Sequence, residues 1–155
     1  IVAPGDFDRD GANDLLAVDS TGRLWLYPGN GTGTFLPRRQ IGTSTGFKAY
    51  TFYAPGDFDG DGDVDVILRR NADGVLLLGP GDGRGGFAGA FPQIGTGWTG
   101  HTVVGTGDMN QDSFADLVTR KPNGELWVYK GTGAGRFNGS YRIGTSLWTA
   151  FDPLA

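Results

Sequence analysis

The 155-residue chain reads as an all-β protein: three four-stranded antiparallel blades of a β-propeller, either a partial ring or one completed by oligomerisation. Three observations predict this. Asp6, Asp57 and Asp108 stand 51 residues apart, and each opens the same nine-residue loop, so the chain is a tandem repeat. The 29 glycines and 8 prolines approach a quarter of the chain, yet 38% of residues are hydrophobic and 12% aromatic. Such a composition excludes disorder and suits short strands joined by tight turns. The most apolar strand of each unit, Arg-Leu-Trp-Leu-Tyr at 23–27 in the first, is apolar on both faces. Both faces must then be covered by neighbouring units.

Each unit begins with a short apolar strand, at residues 1–3, 50–54 and 102–104, and runs straight into the Asp-rich loop. A second apolar strand follows at 15–18, 66–68 and 117–119. Reversals rich in Gly, Asn and Asp come next, at 20–22, 71–74 and 122–124. The third strand, at 23–27, 75–78 and 125–129, ends in a glycine-rich loop. Phe35, Phe87 or Phe137 then opens a weaker fourth strand that finishes at Ile-Gly-Thr, residues 41–43, 94–96 and 143–145. The blades therefore fall at about 1–49, 50–101 and 102–148, within one repeat domain, with 149–155 as the opening strand of a further blade. No apolar pattern at a helical period survives between the glycines, so no helix is expected.

The loops carry the chemistry. Calcium takes six to eight oxygen ligands at about 2.3–2.6 Å, so one short loop surrounds it only by turning several carboxylates inward. In the second copy Asp57, Asp59 and Asp61 supply side-chain oxygens, Asp63 its carbonyl and Asp65 a closing carboxylate, while Gly62 makes the sharp turn. The first copy matches in full: Asp6, Asp8, Asp10, the Ala12 carbonyl and Asp14, with Gly11 at the turn. The third uses Asp108, Asn110, Asp112, the Phe114 carbonyl and Asp116, but Asn110 lacks a charge and Ser113 replaces the turn glycine. A non-glycine residue at positive φ costs roughly 1 kcal/mol, which makes this the weakest of up to three Ca²⁺ sites. A single Asp-rich loop is an ordinary solvated turn; three in register are not.

Charge agrees with this reading. The net charge is −4, but twelve of the 17 acidic residues lie in the loops, four in the first, five in the second and three in the third. The acidity is local to the cages. No Lys/Arg run marks a nucleic-acid footprint, and no apolar run is long enough to insert in a membrane. Cysteine is absent, so zinc-ribbon and thiol chemistry are excluded. Short single-loop cages bind calcium weakly, at roughly 10⁻⁴ to 10⁻³ M, the range of extracellular modules, which points to a secreted, extracellular setting.

The run Gly-Asp-Phe-Asp-x-Asp-Gly-x-x-Asp before an apolar strand resembles the FG-GAP or VCBS repeat of integrin-α-like propellers, most fully at residues 54–62. The resemblance covers the chain as three consecutive units. It implies Ca²⁺ held between the first and second strands of a blade, and propellers of seven or eight blades. It further implies extracellular proteins, many of them lectins or companions of secreted hydrolases. Three units do not close a ring, and open edges attract other chains. The expectation is a piece of a larger propeller or a homo-oligomer, with a two-fold dimer of six blades favoured.

Other residues say less. His101, the only histidine, has no evident partner, and the glycine-rich runs lack the Lys-Ser/Thr ending of a phosphate loop. Trp25 and Trp127 read as packing between blades, whereas Trp98 and Trp148, in Gly/Thr-rich loops, are candidate sugar platforms. The leading function is a calcium-stabilised module that binds glycan or protein and is not an enzyme. A structural accessory of a secreted hydrolase comes second, and a carboxylate glycosidase third.

Overall fold

The computed structural model describes residues 1–151. Its twelve strands form three antiparallel four-stranded sheets, each in simple chain order. The first sheet holds β1 (Val2–Gly5), β2 (Asp14–Val18), β3 (Leu24–Tyr27) and β4 (Arg39–Ile41). The second holds β5 (Tyr50–Gly56), β6 (Asp65–Arg70), β7 (Leu76–Gly79) and β8 (Gln93–Gly95). The third holds β9 (Thr102–Gly107), β10 (Asp116–Arg120), β11 (Leu126–Gly131) and β12 (Phe137–Gly144). The inner strands contact one another in series, β1 to β5 and β5 to β9, which sets the sheets side by side as blades.

Two apolar cores lie between the sheets. Leu16, Leu24 and Leu26 of the first blade pack with Val66 and Leu68 of the second. Ile67, Leu76 and Leu78 of the second pack with Leu117 of the third. Alternation along β6 divides its side chains between the two cores, so Val66, Ile67 and Leu68 are all buried. Each such side chain contributes roughly 1.5–3 kcal/mol through burial. The aromatic at position 2 of the first two loops drops into the seam: Phe7 meets Phe87 edge-on at 5.7 Å, and Phe58 meets Phe137 at 5.2 Å. Met109, the third equivalent, stays exposed.

Five expectations need adjustment. β3 is covered on one face only: Leu24 and Leu26 are buried, but Trp25 and Tyr27 are half-buried beneath Arg38, whose guanidinium carbon lies 4.2 Å from the Trp25 ring. Trp127 likewise carries Lys121 Nζ 3.6 Å from its ring and donates Nε1–H to Glu125, so these two indoles pack against cations of their own blade. The fourth strands of the first two blades are interrupted after a single bridge at Phe35 or Phe87. Pro37 and Pro92 lie in those gaps and lack the N–H a ladder needs, whereas the proline-free β12 runs unbroken. Finally, two 3₁₀ turns, Gly46–Ala49 and Ser146–Ala150, are too short for a helical period to register in sequence. Thr149 and Ala150, expected to open a strand, continue the second turn, and residues 152–155 of that strand lie outside the described residues.

Candidate metal centres

Each Asp-rich loop links the first strand of a blade to the second, and its backbone is wound by its own carboxylates. Asp6 Oδ1 and Oδ2 accept hydrogen bonds from the amides of Asp10 and Gly11, both at 3.0 Å. Asp57 does the same for Gly60 and Gly62, at 2.7 and 3.0 Å, and Asp108 for Asp112 and Ser113, at 3.1 and 2.9 Å. Two residues per loop adopt left-handed backbone: Arg9 and Gly11, Gly60 and Gly62, Gln111 and Ser113. Ser113 (φ 73°) thus keeps the geometry of its glycine counterparts, and strain at position 4 is a feature the sequence did not announce.

The winding gathers oxygen atoms. Asp6, Asp8 and Asp10 each present a carboxylate oxygen within 4.8 Å of the others, and so do Asp57, Asp59 and Asp61. Asp8 Oδ1 is buried without a hydrogen-bond partner among the described residues. Converging carboxylates and an orphaned buried oxygen fit a hard cation, which satisfies both at once. In the third loop Asn110 donates Nδ2–H to Asp112 Oδ2 at 2.9 Å, so an internal hydrogen bond stands where the other loops have a third carboxylate.

Asp14, Asp65 and Asp116, read as closing ligands, have a second task. Asp14 Oδ2 accepts from the amides of Phe7 and Asp8, and its Oδ1 from Gly29 across the blade, at 2.8, 3.2 and 2.9 Å. Asp65 holds Phe58, Asp59 and Gly81 in the same way, and Asp116 holds Met109 and Gly131. A carboxylate has about four lone-pair sites, so three bonds leave one open. Burial pushes the Asp65 carboxyl up to about 6 against these lowering hydrogen bonds, and raises Asp14 and Asp59 as well. Asp63, whose carbonyl is the expected ligand, uses its side chain elsewhere: it pairs with Arg9 of the first loop at 2.6 Å. Ala12 and Phe114 occupy the same position 7 in their own loops.

The tryptophan candidates separate. Trp98 is only 4% exposed, lies in the second core, and is flanked by Tyr129 at 4.5 Å and Phe137 at 5.9 Å. A ring with no free face cannot stack on a sugar, so Trp98 is packing; His101, 5.2 Å away, belongs to the same cluster. Trp148, at the same place in the third blade, is 42% exposed. Sequence reasoning missed the arginines between the blades. Arg9 reaches Asp63 and the Gly62 carbonyl of the next loop, and Arg39 reaches Asp8 and the carbonyls of Arg84 and Gly85. No motif marks them, because neither arginine recurs in the other repeats.

The FG-GAP-like repeat matches residues 6–68 and again 57–119. No curated protein matches the sequence. Among solved structures, the chain is similar to a lectin from Agrocybe aegerita that specifically recognises non-reducing terminal N-acetylglucosamine. The TM-score is 0.63 at 20% identity, a likeness of fold. It covers 85% of this chain and 35% of the lectin, so this chain spans about a third of that protein's length.

Proposed function

This chain belongs to the FG-GAP-like repeat family, and on that premise we propose that it is a calcium-stabilised, non-catalytic β-propeller module of the extracellular space that binds glycan or protein ligands. The observation that carries the proposal is the pair of three-carboxylate clusters at equivalent positions of adjacent blades, one of them with a buried oxygen that no donor among the described residues reaches. Calcium at these clusters would be held by Asp6, Asp8 and Asp10, with Asp14 and the Ala12 carbonyl, and by Asp57, Asp59 and Asp61, with Asp65 and the Asp63 carbonyl. The third loop, Asp108, Asn110, Asp112 and Asp116 with the Phe114 carbonyl, would bind most weakly. The ion supplies the positive charge that lets clustered carboxylates share one loop. Open, weak cages of this kind fill at the calcium concentrations found outside cells. Sugar recognition by the structurally similar lectin supports a glycan as one ligand class.

The test is thermal melting with and without chelator. A ligand that binds only the native state at 100 times its Kd adds about 2.7 kcal/mol per site, so the melting temperature should fall on chelation. It should recover with Ca²⁺ rather than Mg²⁺, which gives up its waters reluctantly. An unchanged melting temperature in excess chelator overturns the reading. A glycan array probed in Ca²⁺ then tests the ligand class.

A further inference from the structure

The two junctions between blades are built on one plan but finished differently. At the first, Arg39 immediately precedes Gln40 of β4 and extends its guanidinium across the seam. Nη2 donates to Asp8 Oδ2 at 3.3 Å and to the Arg84 carbonyl at 2.5 Å, while Nη1 donates to the Gly85 carbonyl at 3.3 Å. A carboxylate from one cage and two carbonyls from the neighbouring glycine-rich loop thus form a seat for a planar cation. Gly85 is part of it: at φ +75°, a Cβ there would lie 2.0 Å from Nη2.

At the second junction the acceptors are repeated and the arginine is not. Asp59 stands where Asp8 does, and Ala134 and Gly135 stand where Arg84 and Gly85 do. Gly135 keeps the left-handed backbone, at φ +67°. The place of Arg39, before Gln93 of β8, is taken by Pro92, which carries no donor. A Cβ at Gly135 would meet only Leu78 and Asp59. A cavity of about 550 Å³ opens there, with Asp59, Ala134 and Gly135 in its wall and Leu78, Pro92 and Phe137 as apolar sides. Arg136 also lines it, and makes no hydrogen bond or ion pair through its side chain with another described residue.

We propose that this cavity receives an arginine side chain presented by a partner protein, in the manner in which Arg39 fills the first junction. The inference rests on the binding-module reading and deepens it by naming the ligand chemistry. A guanidinium fits because its fixed fork of five donors reaches a carboxylate and two carbonyls on different elements at once, which a lysine ammonium does not. The apolar sides accept the methylene stem. Arg136, where the first junction has Gly86, puts a like charge beside the incoming group and so weakens binding.

The test titrates the whole chain in Ca²⁺ with a capped arginine, N-acetyl-arginine methylamide, and reads backbone amide shifts. Capped lysine and N-acetylglucosamine run in parallel. Shifts confined to Asp59, Ala134, Gly135 and their neighbours, with capped arginine binding at least about tenfold tighter than capped lysine, support the proposal. Pro92→Arg supplies the missing side chain and should abolish the response. Arg136→Gly should strengthen it, and it decides alone if Pro92→Arg does not fold. No shift with capped arginine, an undiminished response in folded Pro92→Arg, or unchanged affinity in Arg136→Gly overturns the proposal. If N-acetylglucosamine shifts these amides and arginine does not, the cavity is a sugar site and the module reading stands. Insensitivity of melting to chelator would instead remove the calcium reading, whatever the arginine result.

Discussion

Single residues decide how strong each cage is and which aromatic rings are available. Ser113 holds φ 73° in a place where the other loops use glycine. Ser113→Gly should therefore raise stability by about 1 kcal/mol, since it removes the Cβ that makes left-handed backbone costly. Denaturant unfolding measures this, and a loss of stability would mean that the serine side chain supports the loop. Trp98 and Trp148 form a second contrast at equal positions. Trp98→Ala should cost roughly 3–5 kcal/mol because it empties a site ringed by Tyr129, Phe137 and His101, whereas the exposed Trp148→Ala should cost much less. Equal losses would contradict the burial pattern. The ligand spacing was legible in sequence, since carboxylates at positions 1, 3 and 5 curl inward on any such loop. The fate of Trp98 was not, because whether a loop tryptophan is free depends on the next blade, which periodicity within one unit does not describe.

Pairs of strands carry the next level of specificity. β2 and β3 place Asp19 against Trp25 Nε1, and β11 and β12 place Glu125 between Trp127 Nε1 and Arg142, whose Nη1 lies 2.7 Å from Oε1. The Arg142 hydrogen bond, helped by Trp127, holds the Glu125 carboxyl down at about 2 against an ordinary 4.5. A depressed carboxyl stabilises the fold above its unfolded value and loses that contribution as pH falls toward the folded one. Glu125→Gln should therefore melt below the parent at pH 6, and the gap should close between about pH 4.5 and 2. A gap independent of pH would assign the effect to packing. The strands themselves were readable from apolar runs and turn residues. The broken fourth strands were only half readable: Phe35 and Phe87 announced a start, and the gaps around Pro37 and Pro92 follow from absent donors.

The described molecule is three blades in series, and its two outer faces differ from its inner seams. Tyr141, Ile143, Trp148 and Phe151 are exposed on or after β12, and Ile1 is exposed before β1. Apolar surface of this kind is uncommon on a soluble monomer, so the isolated 155-residue chain should associate. Light scattering should give a mass above 16.4 kDa, and a folded, soluble monomer at that mass would refute the expectation. Repetition made the blade series readable from three aspartates at a constant interval, whereas the chemistry of the seams was invisible because Arg9 and Arg39 each occur in one repeat only. The Arg9 bridge couples the first two loops. Arg9 leaves position 4 of one cage and ends on Gly62 and Asp63, positions 6 and 7 of the next. Immobilising either loop therefore immobilises part of the other, so a ligand that orders one loop would leave less conformational entropy to be lost in the next. If both cages take calcium as proposed, they should fill as a cooperative pair, and a Ca²⁺ titration followed by backbone amide shifts should be steeper in the parent chain than in Arg9→Ala; equal steepness would mean that the bridge does not link the two loops.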